Sequence, residues 1–462
     1  MASIFQTYKD DFSKNLKLAF PIMASQLGQI TVNLIDNIMV GKLGAVSLAA
    51  VSLGNALFAV FMIIGMGITF ALPPLVSNAH GAGETKKISQ YFKHSSIVNF
   101  IFSLITVAVI LAALPLLNHL GQDPEVVLLA KEYLYYSAWS IIPYMIFLTF
   151  RSYSEGLSNT VLPMIAMIAG NILNILFNYA FIFGKLGAPE MGVGGAAFGS
   201  LLARSGMVII IVLLMMNWKS LWVHIKNVDY TKYQPKIFRK ILNLGLPTSL
   251  QMFFEISAFS GAALIAGMVG KNEQAAHQIA INLSSVTFMI CTGLAMASTI
   301  RVGNNLGKKD YVKLKDSGIS AMVQVGMIMA VFSLMFFLLK DYLPLIYIDD
   351  PKVLTIASGL LVFSAIFQIP DGIQVTALSA LRGLQDVKVP TIITLVSYYF
   401  FGIPISYFSA LHFGLGAYGV WLGLLVGLFI SASLLTYRFY KLSSKMIDQN
   451  ISLEDTRDQF VI

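Results

Sequence analysis

Charged residues are scarce in this chain. Of its 462 residues only 12% are Asp, Glu, Lys or Arg, whereas 56% are hydrophobic and the mean hydropathy is +0.74. A soluble globular domain carries about 25% charged residues. The composition therefore excludes an ordinary soluble fold and predicts a polytopic membrane protein. The net charge of +8 does not indicate a nucleic-acid-binding protein, because the basic residues are spread over short loops and form no single patch.

Cysteine and catalytic motifs are scarce as well. Cys291 is the single cysteine, which excludes a disulfide within the chain and a thiol metal site. The six histidines lack metal-ligand spacing, no G-x-x-x-x-G-K-[ST] motif is present, and no Ser/His/Asp order stands out. We therefore expect neither an enzyme nor an organic cofactor. The N-terminus has no short apolar region with a small-residue cleavage site, so we expect no cleaved signal peptide.

Long apolar stretches take up most of the chain. A bilayer core needs about 20 apolar residues per helix, and twelve stretches meet that length. They lie near 16–40, 48–77, 95–118, 132–152, 161–184, 193–217, 241–269, 278–303, 318–339, 354–377, 390–412 and 416–439. Most of the 31 lysines and arginines fall in the loops on one side of these spans. The positive-inside rule then predicts a multi-pass protein with both termini in the cytoplasm.

The two halves of the chain repeat each other. LKLAFP at 16–21 recurs as LNLGLP at 242–247, and MVGK at 39–42 recurs at 268–271. An even number of spans per repeat gives both halves the same orientation, so a pseudo-twofold axis along the membrane normal relates them. We predict an all-α membrane protein of twelve transmembrane helices in two six-helix bundles. The predicted boundaries are an N-terminal bundle at 1–217, a cytoplasmic linker loop at 218–240, and a C-terminal bundle with a short cytoplasmic tail at 241–462.

Three carboxylates, Asp36, Glu255 and Asp371, lie alone inside apolar stretches. Each costs about 2.5–3.5 kcal/mol at a helix centre, and such groups usually face a water-filled cavity and bind ions or protons. The repeat does not preserve them: the positions equivalent to Glu255 and Asp371 are Gln29 and Tyr144. That asymmetry favours a functional role over the alternative of a helix-end or structural hydrogen-bonding group.

Glu255 and Asp371 offer oxygens for a cation if their spans meet. Na⁺ takes hard oxygen ligands, and Pro370 adds one more by freeing the carbonyl of residue 366 from its helical hydrogen bond. Two carboxylates in a low dielectric can also share a proton. Both Na⁺ and H⁺ carriage therefore remain open, because they need the same residues.

Asparagines follow one face of the fifth predicted span. Asn171, Asn174 and Asn178 are spaced i, i+3 and i+7 in GNILNILFNYAF. Together with Asp36 and its neighbour Asn33 they predict a polar cluster in the N-terminal half. The alternative is interhelical hydrogen bonding that only holds the helices together. Arg204 is the basic residue deep in a predicted span; it either extends its side chain to the interface or pairs with a carboxylate.

These features together resemble the multidrug and toxic compound extrusion (MATE) transporters, and within them the NorM-like branch. Two pairs of loop motifs support this, one from each half: S-N-A-H-G-A-G at 77–83 with G-N-N-L-G-K-K at 303–309, and E-G-L-S-N-T at 155–160 with R-G-L-Q-D-V at 382–387. The run Q-I-P-D-G-I-Q at 368–374 is a further supporting motif. Each motif is weak alone, but their order, spacing and repetition extend over essentially the whole chain.

The resemblance implies a V-shaped twelve-helix fold in a bacterial inner membrane. It also implies an antiporter that exports amphipathic, often cationic drugs in exchange for Na⁺ or H⁺. Glu255 and Asp371 would be its cation-binding carboxylates, and Asp36 with its asparagines would be an ion- or proton-responsive site. Some NorM-like members use a tyrosine hydroxyl one turn before the tenth-span aspartate; Phe367, without an oxygen, stands there in this chain. We expect a monomer with no nucleic-acid partner and no cofactor besides the coupling ion.

Two other functions fit a duplicated bundle. A flippase for lipid-linked saccharides, or another metabolite exporter of the same superfamily, would have a related shape, but such flippases tend to carry basic cavity residues for phosphates. A receptor or scaffold would not need asymmetric intramembrane carboxylates. The acidic character of the intramembrane charges favours the drug exporter.

Overall fold

The computed structural model describes residues 2–119, 121–226, 228 and 233–458. Those residues form helices joined by short connections, and no strand occurs among them. The first helices are α1 (Ala2–Gly41), α2 (Ala45–Thr69), α3 (Leu72–Gly81), α4 (Thr85–Ala113), α5 (Pro124–Gly156), α6 (Val161–Phe183), α7 (Gly192–Met216) and α8 (Lys219–Lys226). The remaining helices are α9 (Pro235–Val269), α10 (Lys271–Lys308), α11 (Tyr311–Leu338), α12 (Pro351–Gly383), α13 (Lys388–Leu395), α14 (Ile403–Tyr407) and α15 (Gly416–Asp458).

Eleven stretches among the described residues are long and apolar enough to cross a bilayer. They coincide with eleven of the twelve predicted spans. The remaining predicted span, 132–152, lies within α5, which has 33 residues and could reach across about 50 Å. The tyrosines and serines of this helix lower its mean hydropathy. The predicted all-α, multi-pass architecture is confirmed.

Proline shapes several spans without ending them. Pro21, Pro143, Pro247 and Pro370 all lie inside continuous helices. Each removes one backbone hydrogen bond and frees a carbonyl four residues earlier. The predicted 48–77 span differs, because the chain leaves the helix after Thr69 and restarts as α3.

The described chain divides into two compact units. The C-terminal unit consists of Met1–Met23, Gly81–Gly83 and Leu250–Ile462, and the N-terminal unit consists of Ala24–His80 and Glu84–Ser249. The predicted bundles of 1–217 and 241–462 stay predictions, and residues 227, 229–232 and 459–462 of the predicted linker and tail lie outside the described residues.

The core of the C-terminal unit centres on aromatic residues of α12 and α15. Trp421 is fully buried, and its ring meets that of Phe367 edge to face at 5.7 Å between centroids. Phe259 of α9 also packs edge to face on Phe367, at 6.0 Å. The position that lacks a tyrosine hydroxyl is thus part of an aromatic core. Such edge-to-face pairs add roughly 0.5–1.5 kcal/mol beyond the burial of area.

A glycine stripe on α15 allows close packing on the preceding segment. That segment contains two π-helical stretches, Val396–Gly402 and Phe408–His412. A Cβ added at Gly423 would lie 2.3 Å from the backbone nitrogen of Ser406, and one at Gly419 would lie 2.6 Å from that of Ala410. Small residues one turn apart let helix backbones approach in a membrane, where van der Waals packing drives association.

We predict that Gly423→Ala destabilises the protein although alanine is the better helix former. The new methyl group would overlap backbone that cannot move alone, and overpacking of this kind costs about 1–3 kcal/mol. Gly261→Ala in α9 is the matched control, because its nearest contact is Ile403 Cδ1 at 3.8 Å. Thermal unfolding of the purified proteins in detergent should show a lower midpoint for Gly423→Ala and an unchanged or higher midpoint for Gly261→Ala; equal midpoints would contradict the close approach.

Candidate functional site

The structure brings two predicted carboxylates together within the C-terminal unit. Glu255 lies on α9 and Asp371 on α12, and their side chains interact electrostatically. Asp371 is 4% exposed. Two negative groups held this close inside a span repel each other unless a cation or a proton comes between them.

Amide groups fix the Glu255 carboxylate. Gln251 Nε2 donates to Glu255 Oε2 at 2.7 Å, and Gln374 Nε2 donates to Glu255 Oε1 at 3.4 Å. Arg382 donates from Nη2 to Gln251 Oε1 and interacts electrostatically with Glu255. The arginine therefore supplies positive charge next to the carboxylate and is connected to it through the Gln251 amide.

Asp371 differs from Glu255 in its surroundings. None of the described residues donates a hydrogen bond to it, so its oxygens are available to a cation or a proton. It is followed by Gly372, where a Cβ would lie 2.7 Å from Met329 Cγ and 3.4 Å from Cys291 Sγ. A larger residue than glycine would not fit beside the aspartate, because α12 packs closely against α10 and α11 at this point. The same packing holds this part of α12 in place.

Tyr398 is a candidate residue that the sequence reasoning missed. It is fully buried in the π-helical stretch Val396–Gly402, and its hydroxyl donates to Gln374 Oε1 at 3.1 Å. It interacts electrostatically with both Glu255 and Asp371. A π-helical turn widens the helix and is frequent at functional sites. Tyr398 thus brings a phenol to this cluster from another helix, while Phe367 has none.

A cation at this site would need neutral oxygens as well as carboxylates. Among the described residues no group of three or more His, Cys, Asp or Glu could hold a metal. Glu255 and Asp371 would therefore be joined by neutral donors such as the hydroxyl of Tyr398, the Gln374 amide and the carbonyl of Ile366. That donor set suits a hard monovalent cation better than a transition metal.

The second predicted cluster forms within the N-terminal unit. Asn178 Nδ2 donates to Asp36 Oδ1 at 2.8 Å. With the Asn174 amide in the orientation that satisfies both of its atoms, its nitrogen lies 3.0 and 3.2 Å from the two Asp36 oxygens and its oxygen accepts from Ser200 Oγ at 3.0 Å. Donors from two asparagines match an ionised carboxylate, which only accepts hydrogen bonds.

Packing positions these asparagines. A Cβ at Gly199 would lie 2.2 Å from Asn178 Oδ1, so the glycine of α7 makes room for the amide. Asn178 Oδ1 itself has no hydrogen-bond partner among the described residues. Asn33, predicted to join the cluster, is exposed and accepts a hydrogen bond from Gln29 Nε2 at 3.2 Å. A role of Asn33 at Asp36 stays a prediction that these contacts do not favour.

Arg204 completes the charge distribution of the N-terminal unit. Its Nη1 donates to Ser140 Oγ at 2.5 Å, and its guanidinium carbon lies 5.2 Å from the Phe58 ring centroid and 4.8 Å from that of Tyr144. It also interacts electrostatically with Asp36. Of the two alternatives left by the sequence, the structure favours compensation of a carboxylate and adds cation–π contacts with two aromatic rings.

Comparison with known proteins gives consistent matches along the chain. The family model described as MatE matches residues 21–180 and 247–408. A probable multidrug resistance protein NorM of Rhizobium meliloti (strain 1021) is 33% identical over 452 residues, with 96% of each chain covered. The multidrug resistance protein NorM of Vibrio cholerae serotype O1 is 31% identical over 455 residues, with 96% of this chain and 99% of that protein covered.

Solved structures share the fold. An outward-facing multidrug resistance MATE family transporter of the MOP superfamily superposes with a TM-score of 0.85 at 23% identity, with coverage of 95% of this chain and 97% of that one. A MATE structure in a bent conformation gives 0.86 at 22% identity with the same coverage. The predicted fold is confirmed by both likenesses.

We predict that Asp36 and Arg204 are energetically coupled. Removal of either charge leaves the other uncompensated inside a span. The losses of stability in Asp36→Asn and Arg204→Met should therefore add up to more than the loss in the double variant. Thermal stability of the four proteins should give a coupling energy of about 0.5–3 kcal/mol. Arg151, paired with Glu155 at 2.7 Å, provides the control: Arg151→Met should add to Asp36→Asn independently. A coupling energy near zero for Asp36 and Arg204 would contradict an electrostatic interaction between them.

Proposed function

Because the chain belongs to the MATE family of membrane transporters, we propose that it is a multidrug exporter that exchanges external Na⁺, or H⁺, for amphipathic organic cations from the cytoplasm. The observation that carries the proposal is the pair Glu255 and Asp371 within one unit, in which amides and one arginine compensate Glu255 while the oxygens of Asp371 stay available. The relatives named multidrug resistance protein NorM support the substrate class.

The net charges of the two candidate clusters differ in a way that suits cation exchange. With both carboxylates ionised, Glu255, Asp371 and Arg382 sum to one negative charge, which a single Na⁺ or proton neutralises. In the N-terminal unit Asp36 and Arg204 sum to zero, so a monovalent cation gains little there. Since charges interact strongly in a low dielectric, the coupling ion should bind at Glu255 and Asp371.

The N-terminal unit would respond to protons instead. Protonation of Asp36 leaves the positive charge of Arg204 uncompensated, and that charge repels a cationic drug. Ion binding at either cluster thus makes the protein less attractive to an organic cation. Exchange then requires that the ion and the drug differ in affinity between an outward-facing and an inward-facing state.

The structural details do not favour a flippase for phosphate-linked saccharides. Such a substrate needs basic groups free to bind phosphate. Arg204 and Arg382 both interact with carboxylates of their own unit.

The proposed location is the bacterial cytoplasmic membrane, with both termini in the cytoplasm and the protein acting as a monomer.

We predict that Asp371→Asn abolishes ion-driven export. The amide removes the charge that binds the ion, so ethidium efflux from proteoliposomes under a Na⁺ or a pH gradient should fall to the rate of protein-free liposomes. Asp341→Asn makes the same chemical change at an exposed residue that accepts a hydrogen bond from Ser358, and should leave efflux intact.

The two gradients separate the coupling ions. Efflux under a Na⁺ gradient alone would assign the carboxylates to Na⁺, and efflux under a pH gradient alone would assign them to proton carriage. Gradient-driven efflux that persists in Asp371→Asn would sink the proposed site, and a wild-type protein inactive under both gradients would count against drug export.

We also predict that Tyr398→Phe weakens the apparent affinity for the coupling ion. The change removes the hydroxyl that orients Gln374 next to Glu255, and one hydrogen bond contributes about 0.5–1.5 kcal/mol, or roughly 2- to 10-fold in affinity. The half-saturating ion concentration should rise while the maximal rate is retained. Tyr399→Phe is the control: its hydroxyl bonds Ser257 at 2.6 Å, away from this network. Equal effects of the two changes would exclude a special role for Tyr398.

A further inference from the structure

An apolar groove lies on the C-terminal unit between α11, α12 and α15. Its volume is about 740 Å³. Ile366, Ile369 and Ile373 line it from α12, and Phe429 lines it from α15. Ile366 and Phe429 are about half exposed, so the groove opens at the surface of the span region, where the hydrocarbon of a bilayer surrounds the protein.

The groove has the length of one leaflet. On α15 its lining runs from Phe429 to Tyr440, a distance of about 16 Å at the rise of an α-helix. Half of a bilayer core is about 15 Å thick. A single acyl chain that enters from one leaflet would therefore fill the groove from the interface to the membrane centre.

The end of the groove at Tyr437 and Tyr440 carries two lysines. Lys315 Nζ lies 3.9 Å from the Tyr440 ring centroid and donates to Ser444 Oγ at 2.9 Å, and Lys441 Nζ lies 5.9 Å from the Tyr437 ring centroid. The lining itself includes no acidic side chain among the described residues. Basic and tyrosine side chains together at a membrane interface match the phosphate and glycerol region of a lipid.

Other charged residues at this end are largely paired with one another. Arg438 is held by Asp386 at 2.6 Å and contributes little free charge. Asp316 interacts with Lys315 and also with Asp11 and Asp310, but Arg301 pairs with Asp11 and Lys313 pairs with Asp310. Lys441 extends the positive region along α15. An anionic group is therefore favoured at this end, and a cationic drug is disfavoured.

We propose that this groove binds one anionic glycerophospholipid of the cytoplasmic leaflet, with an acyl chain between α12 and α15 and the phosphate at Lys315 and Lys441. The apolar lining alone would not select a lipid, because bulk lipid is equally apolar; the two lysines supply the selectivity. The positive-inside pattern predicts that this end lies on the cytoplasmic side, where anionic lipids attract basic residues. The proposal does not depend on the transported substrate.

The lipid would also touch the helix of the candidate ion site. Pro370 lines the groove and directly precedes Asp371 in α12. An acyl chain packed on Pro370 would restrict the part of the helix that carries the carboxylate. A lipid in the groove would thus contact the residue that directly precedes Asp371.

The test is native mass spectrometry of the full-length protein purified in detergent, titrated with phosphatidylglycerol or phosphatidylcholine of the same acyl chains. We expect one molecule of phosphatidylglycerol to be retained in preference to phosphatidylcholine. The double variant Lys315→Gln with Lys441→Gln should weaken phosphatidylglycerol binding by about 30-fold and leave phosphatidylcholine unchanged. The double variant Lys340→Gln with Lys352→Gln is the control, because it removes the same charge far from the two lysines, just after the C-terminus of α11 and at the N-terminus of α12.

A second pair of variants tests the groove. Ser433→Trp places a large ring in the lining and should reduce retention of both lipids, whereas Leu434→Trp, at the exposed neighbouring position outside the lining, should not. Equal retention of the two lipids by the wild-type protein would overturn the proposal. So would equal losses in the two lysine variants, which would show attraction by net charge, or equal losses in the two tryptophan variants. Thermal unfolding of each variant confirms that it is folded.

Discussion

A carboxylate inside a bilayer must be compensated within the protein, because hydrocarbon supplies neither hydrogen bonds nor counter-ions. Glu255 and Asp36 meet this constraint in the same way, whereas Asp371 accepts no hydrogen bond from a described residue. Side-chain amides bond each of the first two carboxylates, and an arginine of the same unit supplies positive charge: Arg382 bonds Gln251, and Arg204 lies one turn after Ser200 on α7. Amide contacts leave them able to change partners, which a group that binds and releases an ion requires.

The close packing of the helices serves those clusters. A side chain at Gly199 would overlap Asn178, and one at Gly372, next to Asp371, would overlap Met329. Gly423 likewise allows close approach between α15 and the segment that carries Tyr398. These contacts fix polar groups that bind one another only over short distances. In a membrane, where apolar burial gives little preference for one helix pair over another, such shape matching determines which polar groups meet.

The sequence predicted the large features because they depend on local properties. Hydropathy alone sets which stretches cross a bilayer, and the repeat of LKLAFP as LNLGLP shows the duplication without any structure. Asp36, Glu255 and Asp371 were found because a charge among apolar residues is conspicuous, and Asn174 and Asn178 because their spacing fits one helix face. Asn33 is predicted from its proximity to Asp36 in sequence alone; in the structure it is exposed and bonds Gln29.

Other members of the candidate sites gave no such signal. Gln251, Gln374 and Tyr398 are ordinary polar residues of spans, and nothing in their local sequence separates Tyr398 from Tyr399, whose hydroxyl bonds Ser257. The amino-acid sequence by itself determined the membrane-spanning character, the family and the three intramembrane carboxylates. Only the tertiary structure decided which amide, phenol and arginine serve each carboxylate, because those contacts join helices far apart in the chain and depend on helix rotation and close approach that no local pattern specifies.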